Sequence, residues 1–248
     1  MAVFGNSMMV FNRNTAPLIP LIPLNNFISY WKFDGNSLDS VGANDGTTTD
    51  TLFVSGLIGQ SIEFKGDLPS LVNIPDSNNL SFGNGTIEND FSTIHLVNVP
   101  EILPSNSRLF QKINFDNSQR EYACTLRSNG TVEFALIDTI NNVVSSVVTN
   151  NTISLNTWHV IITTYEASTK KIEISIDGVF NNNVQNLPNS YVAMSNSTAD
   201  LIIGNDVRFQ RAGTKGKINV SSFLNIKLTP EQVAYAVDKL LINNQHLI

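Results

Sequence analysis

Lys171-Ile172-Glu173-Ile174-Ser175-Ile176-Asp177-Gly178 is the stretch that decides the fold class. Successive side chains of a strand point to opposite faces, so the three isoleucines share one face and Lys171, Glu173 and Ser175 share the other. Such a run builds a sheet with one face buried and one face wet. The Asp177-Gly178 pair that ends it supplies the positive φ angles of a tight hairpin turn, and Asn129-Gly130 is a second pair of the same kind.

Working outward from this run, short apolar or alternating segments recur between clusters of Asn, Gly, Asp and Ser, the pattern of an antiparallel sandwich. The strands expected are 29–33, 60–64, 71–74, 92–97, 108–113, 121–126, 132–137, 158–165, 171–176, 200–203 and 217–223. Trp158, at the head of one run, is expected to fill the core between the two sheets. Only the C-terminal region departs from the β pattern. Thr229-Pro230-Glu231-Gln232 has an N-cap hydroxyl, a proline at the first helical position and a glutamine at the capping-box position, so a helix is expected over 229–242. Its buried stripe is Val233, Ala236, Val237, Leu240 and Leu241.

The N-terminal region is different again. Pro17-Leu18-Ile19-Pro20-Leu21-Ile22-Pro23-Leu24 repeats every three residues, the period of a polyproline II helix, and puts leucines and isoleucines on two of its three ridges. Residues 1–26 therefore read as an extended Pro/Leu/Ile-rich arm and residues 27–248 as the folded domain with its C-terminal helix. So apolar an arm is expected to dock, either on a partner or along its own domain.

Composition narrows the function classes. Hydrophobic residues make up 42% of the chain but charged residues only 15%, so Asn, Ser and Thr carry the surface polarity. With a net charge of −6 and scattered Lys and Arg, the chain offers no basic stripe for a phosphate backbone, and nucleic acid is not an expected partner. No apolar run is long enough to span a bilayer, and Pro17, Pro20 and Pro23 interrupt the stretch where a signal-peptide core would lie. Cys124 sits in a strand-like run and reads as an inert buried thiol. His95, His159 and His246 lie too far apart in sequence to suggest a zinc site.

Several of these segments also carry a family resemblance. Tyr30-Trp31-Lys32-Phe33-Asp34 with Asp39, Asp45-Gly46-Thr47, the run from Gly56 to Phe64, Asn156-Thr157-Trp158-His159-Val160, Ile174 to Gly178, and Gly216-Lys217-Ile218-Asn219 followed by Leu228 to Gln232 occur in that order. In this order they resemble the laminin-G-like domains of the concanavalin A-like lectin and glucanase group, over roughly residues 27–237. The resemblance implies a two-sheet antiparallel jelly-roll sandwich. It departs at Asn219, where relatives often carry Asp, so a role needing a carboxylate there is not expected. Relatives that cleave polysaccharides place carboxylates alternately along one strand. The nearest set here, Glu173, Ser175 and Asp177, is interrupted by a serine and ends in a turn, so no enzyme activity is expected. Relatives often bind calcium, and the hard oxygen ligands clustered near the first strand make Asp39 and Asp45 the candidate carboxylates.

Together these readings lead to an expected non-catalytic structural or decoration protein of a phage capsid or tail appendage. It would display a lectin-like domain to glycans and be anchored to other virion proteins, as an oligomer or in an assembly, through its N-terminal arm. The alternative from the same residues is a free, extracellular carbohydrate-binding module.

Overall fold

The computed structural model describes residues 22–66, 70–114, 119–180, 185–205 and 213–248. Among the described residues sixteen strands follow in chain order: β1 (Phe27–Trp31), β2 (Thr47–Thr49), β3 (Leu52–Ser55), β4 (Gln60–Lys65), β5 (Leu71–Ile74), β6 (Phe91–Asn98), β7 (Ser107–Asn114), β8 (Gln119–Leu126), β9 (Val132–Asp138), β10 (Val143–Val148), β11 (Trp158–Glu166), β12 (Lys171–Ile176), β13 (Val179–Phe180), β14 (Gln185–Asn186), β15 (Leu201–Ile203) and β16 (Lys215–Leu224). They form two antiparallel sheets. The first runs β13-β12-β11-β6-β16-β4-β3, with β1 also on β16 and β14 also on β12; the second runs β10-β9-β8-β7-β15-β5-β2. The two sheets stack as a jelly-roll sandwich.

Each of the eleven expected strands is present. The strands not anticipated lack a period-2 signal. Thr47–Thr49 is polar throughout, and Val143–Val148 reads apolar, apolar, polar, polar, apolar, apolar. Asp177 and Gly178 both take positive φ, at 52° and 84°, and close the hairpin that pairs Ile176 with Val179. In the other turn Gly130 alone takes positive φ, at 83°, because the turn begins one residue earlier and Gly130 N–H donates to Arg127 O.

Between the sheets lies an aromatic-rich core that includes Trp31, Phe64, Phe91, Phe110, Tyr122, Phe134 and Phe223. Burial of this much apolar surface, at about 25 cal/mol per Å², is the main force holding the sheets together. Trp158 is not in this core. On β11 the even positions Val160 and Ile162 face away from the second sheet, while Ile161 and Tyr165 face it. Trp158 shares the even parity, so it packs partly buried on the outer face, and Trp31 fills the interior with its Nε1–H donated to Asn44 O at 2.8 Å.

The outer face of the first sheet is covered by α1 (Pro230–Val237) and the turn that continues it over Asp238–Ile242. Thr229 caps α1 as the sequence requires: its side chain accepts from Gln232 N–H, and the Gln232 side chain accepts from Thr229 N–H. Val233, Ala236, Val237 and Leu240 are buried against Tyr30, Leu96, Val160 and Val220. Most of the N-terminal arm lies outside the described residues, but Ile22 near its end is 3% exposed and packs into this same outer cluster. No described helix is long and apolar enough to cross a membrane.

Candidate functional site

At one end of the sandwich, Ile28 of β1, the segment leading out of β5, the segment leading into β6, the β11–β12 turn and the residue after β16 converge on a cleft of about 910 Å³. A volume of this size suits a small organic ligand. Asn78, Asn79, Asn89 and Asn225 line it, together with Ser81, Ser168 and Asp90. Asn78 Oδ1 accepts from Asn196 Nδ2 at 3.1 Å, while Asn79 Oδ1 accepts from Asn44 Nδ2 at 3.1 Å and Ser77 Oγ at 2.9 Å. Their carbonyl sides are thereby pinned. Among the described residues no partner takes their Nδ2 groups or the side-chain amides of the exposed Asn89 and Asn225.

Two carboxylates flank these amides and differ in role. Glu88 is almost fully buried: Oε1 accepts from Tyr191 Oη at 2.5 Å and Met194 N at 2.7 Å, and Oε2 accepts from Tyr165 Oη. Burial and this carboxylate hold both tyrosine hydroxyls well above their ordinary pKa. Glu88 is therefore a strut under the cleft. Asp90 uses only Oδ1, which accepts Ala167 N–H at 2.8 Å and fixes the β11–β12 turn; Oδ2 remains open among the described residues.

Asp90 also lines a second compartment of about 420 Å³ with Glu166, Lys171, Glu173, Phe180, Lys227 and Pro230. Apart from Asp90, the charged groups here are paired with one another. Lys227 Nζ lies 3.2 Å from Glu166 and 3.5 Å from Glu173, and Lys171 Nζ lies 3.1 Å from Glu173. Hydrogen bonds from Thr169 and Lys227 hold the Glu166 carboxyl below the usual carboxylate range. The partly buried Phe180 ring gives this compartment an apolar wall.

Of the residues singled out in the sequence, Glu173 lines the second compartment, while Asp39 and Asp45 line neither. Asp39 Oδ1 accepts from Tyr30 and Val41 N–H at 3.0 and 3.1 Å, and Oδ2 accepts from Asn44 N–H at 3.2 Å. Asp45 Oδ1 accepts Asp39 N–H at 2.8 Å, so the two residues are adjacent and together tie down the loop after β1. Among the described residues no group of three or more His, Cys, Asp or Glu side chains forms a metal-sized cluster. Of the alternating set on β12, Glu173 reaches the second compartment, Ser175 is buried, and Asp177 accepts Val160 N–H at 2.8 Å and pairs with His159 Nδ1 at 2.6 Å. Asn219 grips the turn before β4: Oδ1 accepts Ile58 N–H at 2.7 Å while Nδ2 donates to Ile58 O at 2.9 Å and Gln60 O at 2.7 Å. An aspartate could not make those donations, which accounts for the amide at this position. Cys124 is buried, and burial pushes its thiol far up.

Residues 72–234 match a laminin-G-type model of the concanavalin A-like lectin/glucanases superfamily. The chain belongs to this superfamily. Solved structures of the same fold include the binding domain of paraclostridial mosquitocidal protein 1 (TM-score 0.70, 14% identity over 87% of this chain and 52% of that one). The binding domain of botulinum neurotoxin serotype G is another (0.67, 16%, 86% and 50%). A third is domain 4 of the extracellular arabinanase AbnA from Geobacillus stearothermophilus, solved with arabinotriose (0.65, 18%, 84% and 97%). The chain thus spans about half the length of the two toxin domains and nearly all of the arabinanase domain. No curated protein sequence matches it.

Within this superfamily scaffold, the cleft residues were missed by motif reading because they come from five separated segments. The usable signal was local: Asn78-Asn79 and Asn89-Asp90 are polar pairs at the ends of strand-like runs, where binding side chains are commonly held by a rigid scaffold.

Proposed function

We propose that this chain is a non-catalytic glycan-binding domain and that the end cleft is its binding site. The observation that carries this reading is the set of four asparagines and Asp90 around one cleft, whose amide Nδ2 groups and one carboxylate oxygen have no partner among the described residues. Sugar hydroxyls both donate and accept, and primary amides with a carboxylate oxygen complement them in both senses. The arabinanase domain solved with arabinotriose, and the botulinum serotype D domain solved with N-acetylneuraminic acid, add support from related folds.

Hydrolysis is not part of the proposal. A glycosidase needs one carboxyl held protonated near neutral pH and a second free to act on the opposite face. In the cleft Glu88 is fully engaged, and in the second compartment Glu166 and Glu173 are paired to lysines, with Glu166 shifted in the wrong direction for an acid. Glu121 is raised by burial, against the pull of Lys112, but its side chain is inaccessible.

The domain is further proposed to be displayed on a virion, with the arm preceding Ile22 as its attachment segment; the alternative is a free extracellular lectin. The apolar period-three arm and the low charge content favour the first. A glycan array probed with the full chain, followed by calorimetry on the strongest ligand, tests the binding reading. Loss of affinity in Asn89→Ala and Asn225→Ala with unchanged thermal stability is the expected result, and undiminished binding in both would remove the site from the cleft. Mass measurements on the full chain and on a chain lacking residues 1–21 test the display reading. Assembly lost on truncation supports attachment, and two equal monomers support the free lectin.

A further inference from the structure

We infer that the cleft selects neutral oligosaccharides over acidic ones and that its ligand spans both compartments, with Asp90 as the shared acceptor. This inference rests on the glycan-binding reading above and refines it. The charges around the two compartments decide the first part. Four carboxylates line them, those of Glu88, Asp90, Glu166 and Glu173. The ammonium groups of Lys170, Lys171 and Lys227 stand against them. Each ammonium already has a carboxylate within ion-pair distance: Lys170 is 3.6 Å from Glu88, Lys171 is 3.1 Å from Glu173, and Lys227 is 3.2 Å from Glu166. None is left over for an incoming anion.

Asp90 is the carboxylate without a cation. Its Oδ1 is satisfied by Ala167 N–H at 2.8 Å, and its Oδ2 has no partner among the described residues. A uronate, sialate or sulfate placed here would meet an uncompensated negative charge, whereas a hydroxyl would donate to it in a charge-assisted hydrogen bond. The outer field has the same sign, because the chain carries −6 overall.

Position decides the second part. Asp90 lines both the amide-rich compartment and the compartment walled by Phe180, so a sugar ring bound at Asp90 has neighbours on either side. On the first side its hydroxyls meet the asparagine amides; on the second an apolar ring face can rest on Phe180. A ligand of more than one sugar unit can make both sets of contacts at once.

The test is calorimetry on the full chain with maltotriose, xylotriose, cellotriose and arabinotriose, their monosaccharides, and trigalacturonate and sialyllactose as acidic probes, after an array screen. A neutral trisaccharide should bind at least tenfold more tightly than its monosaccharide, and the acidic probes should bind at least tenfold more weakly than the neutral ones. Asp90→Asn keeps an acceptor for Ala167 N–H and so should retain its unfolding temperature, while losing neutral-sugar affinity by about tenfold to a hundredfold. Phe180→Ala should weaken the trisaccharide and leave the monosaccharide unchanged. Acidic probes binding as well as neutral ones, Asp90→Asn binding like the parent, or equal affinities for one sugar and three would each overturn this inference while leaving a glycan-binding domain in place. No binding by any glycan on the array would overturn the broader reading itself.

Discussion

His95 sets a measurable acid limit on the stability of this fold. The ring is 0% exposed, stacks on Phe110 with centroids 4.5 Å apart, meets Phe223 edge-on, and uses Nδ1 in a 2.9 Å hydrogen bond with Ser221 Oγ. Its Nε2 has no partner among the described residues, so a proton there would bury an unpaired charge, and burial lowers the pKa to about 3. In the unfolded chain the same group titrates at about 6.5. Below that value the unfolded state binds the proton that the folded state refuses, so the contribution of His95 is intact above pH 6.5 and is lost as pH falls towards 3. At about pH 5 the loss amounts to about 2 kcal/mol, and at about pH 7.5 it is close to zero. Denaturant unfolding of the parent and of His95→Phe/Ser221→Ala at both pH values isolates this term, because the other titrating groups are common to both proteins. The double variant keeps the stacked ring and leaves no orphan hydroxyl. Its stability relative to the parent should rise by about 2 kcal/mol between the neutral and the acidic measurement. A difference that stays constant with pH would refute the reasoning.

Other outcomes follow from the same accounting of polar groups. Asn219→Asp exchanges two donations to backbone carbonyls, at 2.9 and 2.7 Å, for repulsion, and should cost about 2–4 kcal/mol in chemical denaturation. The His159–Asp177 pair acts in the opposite sense to His95. Asp177 raises the His159 pKa, so the pair stabilises the fold below about pH 6.5 and that contribution fades as pH rises through the folded value. Asp177→Asn keeps a residue suited to the turn and should flatten this part of the pH profile in denaturant titrations. Asp39 and Asp45 already receive backbone N–H groups, so adding millimolar calcium to chelator-treated protein should leave the unfolding midpoint unchanged. A saturable rise of several degrees would instead make them a calcium site.

The fold was legible in the sequence where one face of a strand is apolar and the other polar. Ile172 and Ile174 lie in the inter-sheet core as the alternation requires, and the Thr229–Gln232 capping box starts the helix at the expected residue. Legibility ended where period 2 is absent, as in β2 and β10, and where the pattern leaves the inward face undecided. Trp158 shows the second limit. Val160, Ile161 and Ile162 are all buried, because the sheet they belong to has apolar packing on both sides, so residue type alone could not say which face held the tryptophan.

The candidate site was legible in chemistry but not in place. Asparagine abundance pointed to hydrogen bonding, yet the same residues serve as turn formers, capping groups and binders. Asn44, Asn79 and Asn219 show why spacing cannot sort them. Asn44 bridges Ser29 Oγ and Asn79 Oδ1, fifteen and thirty-five residues away, and Asn219 holds a turn some 160 residues before it. What separates a binding amide from a structural one here is whether neighbouring segments already satisfy it. That depends on the packing of β1, β6, β11 and β16 at one end of the sandwich, which bring Asn89, Asp90 and Asn225 to one cleft while leaving, among the described residues, both asparagine amides and Asp90 Oδ2 without a partner. A polar residue exempted from the fold's own hydrogen bonding is therefore a better pointer to function in this chain than any motif in its sequence.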